Sequence, residues 1–214
     1  MTTQFDFAHK IAIIAGGTGG LGTALRIDLE ARGCVVVTVS RSHVDDASHI
    51  SADLRAPEAA AEAIAEVITR HGAVDIVINA MGVVAFGPIN TTSVDTVEEL
   101  FLTNTFGHIF LMQAALQNMA QGSVLVGISG VIAEQNLPGM SVYGASKAAA
   151  RSFNQALGRE ARRSGVRVID ARPPHTETGL ASRAIAGVAP KMPVGLTPDV
   201  VAARIVAAIV AGER

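Results

Sequence analysis

The stretch KIAIIAGGTGGLG, residues 10–22, sets an apolar run against a run of glycine: five of the eight residues from Ala15 to Gly22 are glycine. Glycine inside a regular element costs roughly 0.5–1 kcal/mol relative to alanine. So dense a run marks a place where the backbone must turn tightly or let something approach it. The residues before it, IAIIA, are apolar without alternation, the pattern of a strand buried on both faces. The residues after it, LGTALRIDLEARG, repeat apolar positions at a spacing near 3.6 and stop at Gly33, the pattern of a helix. A strand, a glycine turn and a helix follow one another.

The alternation continues outward. CVVVTVS (34–40) and HISAD (49–53) read as strands, and APEAAAEAIAEVITRHG (56–72) as a helix with Pro57 in its first turn and Gly72 past its end. VDIVINAMG (74–82) is a fourth strand, residues 93–122 one long helix capped by Ser93, and SVLVGIS (123–129) a fifth strand. Residues 141–165 form another long helix, VRVIDARPP (166–174) a sixth strand, and Thr197 with Pro198 opens a last helix. Apolar strands separated by helices predict an α/β, Rossmann-like doubly wound parallel sheet of six strands. The Gly-, Pro- and Ala-rich stretch 182–195 reads as a mobile loop.

At 214 residues and 49% hydrophobic content the chain is expected to be one domain, residues 1–214. Charged residues are 17% and the formal net charge is −2, which leaves no electrostatic footprint for nucleic acid or an anionic membrane. The one cysteine, Cys34, opens an apolar run and reads as a core thiol. MTTQFDFAHK lacks the basic start and apolar stretch of a secretory leader, and no apolar run reaches the roughly 20 residues that span a bilayer. A cytoplasmic protein is the expectation. The histidines are scattered, so no metal site is expected.

Gly16, Gly20 and Gly22 stand where a dinucleotide fold needs a tight turn, a close approach to pyrophosphate and close helix–strand packing. Phosphate then rests on the helix N-terminus. Here the chain resembles the short-chain dehydrogenase/reductase family. AGGTGGLG matches the family's T-G-x-x-x-G-x-G with Ala15 in place of threonine, and NAMG (79–82) matches N-N-A-G. NTFG (104–107) matches N-x-x-G and YGASK (143–147) matches Y-x-x-x-K. PPHTET (173–178) matches P-G-x-x-x-T with Pro174 in place of glycine. The resemblance implies a nicotinamide cofactor held by Gly16, Thr18, Gly20, Leu21, Gly22, Asn79, Ala80, Gly82, Tyr143, Lys147, Pro173 and Thr178, with Asn79 either crosslinking adjacent loops or touching the cofactor ribose. It also implies that Asp53, followed by Leu54, meets the adenine. In place of the acidic residue that would bind the free ribose hydroxyl of NAD, the second strand ends in Ser40 and Arg41, which suit the 2′-phosphate of NADP(H), with NAD(H) as the alternative. Gly19 occupies the slot of a second basic residue found in many NADP-preferring relatives.

Tyr143, the only tyrosine, lies four residues before Lys147, so both share a helix face. A phenol is a poor base near neutrality, and an adjacent ammonium favours its ionised form. The pair is suited to exchanging a proton with a carbonyl or alcohol oxygen. The resemblance adds Asn104 as part of a proton relay and a serine that polarises the substrate oxygen. Gly130 stands thirteen positions before Tyr143, where that serine is usual, and Ser129 one residue earlier. Either a longer loop makes Ser129 the catalytic serine, or the site lacks it and a water or Ser141 substitutes. His175 is a candidate substrate contact or a plain loop residue.

Residues 41–51 are too few for the helix that relatives carry there, so a more open adenine side is expected. Nothing after Gly195 matches the seventh strand usual in the family, so six strands and a homodimer through the long helices are expected. Two functions fit: an NADP(H)-dependent oxidoreductase acting on a small carbonyl or secondary alcohol, or a cofactor-binding sensor or scaffold that has lost turnover.

Overall fold

A computed structural model describes residues 5–135 and 137–213; the start of the segment read for a leader, residues 1–4, lies outside the described residues. Six parallel strands form one sheet: β1 (Ile11–Ala15), β2 (Val35–Ser40), β3 (His49–Ser51), β4 (Ile76–Asn79), β5 (Val124–Ile128) and β6 (Arg167–Ala171), in the order β3-β2-β1-β4-β5-β6. The described helices are α1 (Gly20–Ala31), α2 (Pro57–His71), α3 (Val94–Phe101), α4 (Gly107–Leu116), α5 (Ser141–Glu160) and α6 (Pro198–Ala211). β1 is buried along its whole length, which is why its apolar run does not alternate. Ile11, Ile13 and Ala15 pack toward α2, α4 and α5, whereas Ala12 and Ile14 pack toward α1 and α6. From β1 the chain goes first to β2 on one side and later to β4 on the other. Such a reversal opens a crevice at the carboxyl ends of the strands.

The helix expected over residues 93–122 is broken. Ser93 caps α3, its Oγ accepting from Thr96 N at 3.2 Å, but Leu102–Phe106 is a π turn before α4 begins. Four tertiary bonds hold this turn: Asn104 makes two to Val83 and one to Ser146 Oγ, and Thr105 Oγ1 donates to Ser146 O at 3.0 Å. Such one-turn insertions occur mostly at functional sites. The stretch expected to be a loose loop is strapped down as well: Phe86 N donates to Ala186 O and Ile185 N to Val84 O, both at 2.9 Å. Cys34 is buried with Sγ 3.4 Å from Phe7 O, and burial pushes its thiol up to about 11. Residues 41–48 carry no helix, and Arg26 of α1 ties them through Asp46 (2.8 Å) and Ser48 (3.0 Å).

Candidate active site

The glycine turn fills the crevice between β1 and β4. Gly16 has φ +75°, donates its N–H to Val39 O at 2.8 Å, and lies so near the chain after β4 that a Cβ would stand 2.8 Å from Ala80 and Met81 backbone atoms. A Cβ on Gly22 would collide with Gly16 O, so α1 can pack against the turn only without one. No side chain caps α1, and Thr23 N is bonded to Gly19 O, so the amides of Gly20, Leu21 and Gly22 make up the open first turn of the helix. Thr18 is exposed beside them, and a Cβ on Gly20 would stand 3.0 Å from Thr178, which brings the segment after β6 over the same turn. Tight backbone approach and open helix amides fit a pyrophosphate group.

Lys147 is buried. Its Nζ donates to Ile128 O at 2.9 Å, and a Cβ on Gly82 would come within 3.5 Å of Nζ and 3.4 Å of Asn104 Oδ1. Asn104 is therefore beside the lysine, with Oδ1 accepting from Val83 N (2.9 Å) and Nδ2 donating to Val83 O (2.9 Å) and Ser146 Oγ (3.0 Å). Those bonds join the π turn, the chain after β4 and α5 into one frame. Tyr143 is half-buried in the first turns of α5, and burial pushes its phenol up to about 12. Burial pushes the Lys147 ammonium down to about 8, with attraction to Asp170 opposing.

Ser129 is at the carboxyl end of β5. Its Oγ is enclosed and has no hydrogen-bond partner among the described residues. The residue lies just past the end of β5, where its amide and that of Gly130 both donate to Ala171 O, at 3.0 Å and 3.2 Å. Gly130 follows with φ +78°, a conformation that L-residues rarely adopt. Ser141 is exposed at the start of α5.

Beyond β2 and β3, where the adenine is expected, the side chains are already engaged. Ser40 Oγ lies 3.3 Å from His49 Nε2. Asp53 receives Arg55 through both carboxylate oxygens, and Arg55 Nη1 also bonds Glu99 Oε2 at 2.6 Å. The exposed Arg41 stands 4.0 Å from Glu99 Oε1. Leu54 buries its side chain in the core, so its contact with a ligand would run through its backbone. Asn79 is turned inward too: Oδ1 accepts from Met81 N (2.9 Å) and Nδ2 meets His108 Nδ1 (2.8 Å), which crosslinks the loop after β4 to α4. Pro173 O accepts from Val131 N at 3.1 Å. His175 Nε2 is 3.2 Å from Glu177 Oε1 and lines a pocket of about 460 Å³ formed by residues between 175 and 192, outside which Tyr143 and Lys147 lie.

Arg55, Glu99, His108, Asn154 and Asp170 escaped the sequence reading. A signal existed for three of them: a histidine and an asparagine on apolar helix faces, and an aspartate inside the apolar strand VRVIDA.

Residues 10–188 match the family described as short chain dehydrogenase. Hydroxynaphthalene reductase arp2 of Aspergillus fumigatus is 28% identical over 180 residues, 78% of this chain and 66% of that protein. Dehydrogenase/reductase SDR family member 7B of Rattus norvegicus is 30% identical over 198 residues, 83% of this chain and 61% of that protein. The chain thus spans slightly under two thirds of the length of these relatives. Among solved structures, a short chain dehydrogenase from Burkholderia cenocepacia in complex with NADP superposes with a TM-score of 0.83 at 25% identity, covering 96% of this chain and 92% of that one. The ligand-free aldohexose dehydrogenase of Thermoplasma acidophilum superposes with a TM-score of 0.85 at 22% identity, covering 97% and 89%.

Proposed function

Because the chain belongs to the short-chain dehydrogenase family, we propose that it is an NADP(H)-dependent oxidoreductase that moves a hydride between the nicotinamide and a small carbonyl or secondary alcohol. The observation that carries this reading is the placing of buried Lys147 against Gly82 and Asn104, one helical turn from Tyr143. Gly16, Gly20, Leu21 and Gly22 would hold the cofactor's pyrophosphate, and Ala80, Gly82 and Thr178 would border it. The cofactor, when bound, supplies or accepts the hydride. Tyr143 donates the proton to the carbonyl oxygen, and the Lys147 ammonium stabilises the phenolate left behind. Asn104 holds the lysine's surroundings in place. Exposed Leu102 and Phe106 beside α3 and α4 are the apolar surface for pairing with a second copy.

With the phenol protonated to about 12 and the ammonium to about 8, the resting pair is set for reduction at neutral pH. Carbonyl reduction by NADPH is expected to hold its kcat/KM up to about pH 8 and fall above it, as Lys147 loses the charge that stabilises the phenolate. A panel of ketones and aldehydes assayed from pH 6 to pH 10 checks this. Turnover that rises through pH 8 would contradict it.

The NADP reading rests on Arg41, the guanidinium least engaged at the adenine end. A charge-assisted bond is worth about 1.5–3 kcal/mol, so Arg41→Ala should weaken NADPH binding about ten- to hundredfold and leave NADH within about twofold. Fluorescence titration with both cofactors reads it; equal losses would remove Arg41 from phosphate recognition.

A sensor without turnover is favoured by one observation, the enclosed Ser129 hydroxyl beside a glycine where relatives carry serine. Saturable NADPH binding with no oxidation over the whole panel would select it.

A further inference from the structure

The sheet face beneath α5 carries a chain of polar side chains that the reaction above leaves unused. Gly127 in β5 makes room for it: a Cβ there would collide with Asn154 and stand 2.7 Å from His108 Cε1. His108 and Asn154 fill that room, and both are buried. Bond directions follow from one fixed donor. Met81 N–H donates to Asn79 Oδ1 (2.9 Å), which turns Asn79 Nδ2 toward His108 Nδ1 (2.8 Å). Nδ1 therefore accepts, the neutral imidazole carries its proton on Nε2, and Nε2 donates to Asn154 Oδ1 (2.6 Å). Asn154 Nδ2 then donates to Asp170 Oδ1 (2.9 Å). Every bond runs one way and ends on a carboxylate, so each polarises the next.

Asp170 Oδ2 is buried and accepts no hydrogen bond among the described residues; Arg172 Nε stands 3.7 Å away. In the sheet register Asp170 lies opposite Gly127 and Ala171 opposite Ile128, whose carbonyl holds Lys147 Nζ. We propose that Asp170 is a positioning residue for Lys147, the carboxylate at the end of the Asn79–His108–Asn154 chain acting as the buried counter-charge of the ammonium. The proposal rests on the reading of Lys147 as half of the proton-transferring pair. Its charged surroundings leave Asp170 that part. His108 on α4 is held neutral, its proton affinity pushed down to about 4 by burial. Arg151, one turn along α5, and Arg172 beyond β6 both bind Glu134, at 2.5 Å and 2.6 Å, and Arg172 reaches Asp170 only through Nε at the longer 3.7 Å. Tyr143 on the same helix as the lysine stays protonated. Asp170 attracts the ammonium and opposes the loss of charge that burial imposes.

The test needs neither cofactor nor substrate, so it stands apart from any failure of the oxidoreductase reading. Lys10, Lys147 and Lys191 are the only lysines. In ¹³C-lysine-labelled full-length protein, Lys10→Arg and Lys191→Arg assign the Lys147 resonance. Asp170→Asn is expected to lower the Lys147 titration midpoint by about one pH unit and leave Lys10 and Lys191 where they were. An unmoved Lys147 in the folded variant overturns the proposal. If Asp170→Asn does not fold, the wild type decides. The Asp170 carboxyl carbon should then show a step at the pH where Lys147 titrates, and a flat trace there overturns the proposal equally.

Discussion

Tyr143→Phe is expected to lower turnover by about 10²–10⁴-fold with cofactor affinity kept within about threefold. The change removes one oxygen and nothing that packs, so the frame around Lys147 stays in place. Loss of activity without loss of NADPH binding is the signature of a group that moves a proton, because binding energy common to ground and transition states is untouched. Single-turnover reduction in the variant, beside NADPH titration, separates the two. A second readout is open because Tyr143 is the only tyrosine and the chain has no tryptophan. The near-ultraviolet tyrosinate band therefore reports this one phenol. Without cofactor it should rise only toward pH 12. Wild-type turnover in the phenylalanine variant would remove Tyr143 from the chemistry.

The second large effect is on stability in acid. Burial lowers the His108 proton affinity from 6.5 to about 4, with attraction to Asn154 opposing and repulsion by Lys147 adding to it. The unfolded chain therefore takes up a proton near pH 6.5 that the folded chain refuses until about pH 4. Stability contributed by neutral His108 is complete above that window and lost as pH falls through it. At 1.36 kcal/mol per pH unit the loss is about 3 kcal/mol, or roughly 6–12 °C in melting temperature for a chain of this size. Thermal unfolding from pH 7 to pH 4 should show this slope in the wild type and a shallower one in His108→Gln, which keeps a polar side chain but does not titrate. Parallel curves would mean that His108 is protonated within the fold at these pH values.

The Tyr143–Lys147 pair was legible because four residues along a helix is a local distance, and helix geometry puts both on one face. The glycine turn was legible for the same reason: strand, turn and helix are neighbours in the chain, and a Cβ at Gly22 would meet Gly16, six residues away. The enclosure of Ser129 was not, because sequence position alone does not say where a side chain at a strand end will point. For Asn79 a loop crosslink was one of two readings, and the fold supplies the partners: a backbone N–H two residues on takes Oδ1, and an imidazole 29 residues away takes Nδ2. The break in the helix over residues 93–122 likewise depends on Val83 and Ser146, which pull Asn104 and Thr105 out of an even ladder.

By itself, the sequence determined the strand and helix order, the parallel sheet, the glycine turn and the shared helix face of Tyr143 and Lys147, because each rests on periodicity, on backbone sterics or on groups within a helical turn of one another. Only the tertiary structure decided what stands behind the pair. His108 meets Asn154 across 46 residues and Asn154 meets Asp170 across 16. Those side chains look like faults in apolar elements until the sheet brings them together, because a buried polar group acquires its meaning from the partner that satisfies it.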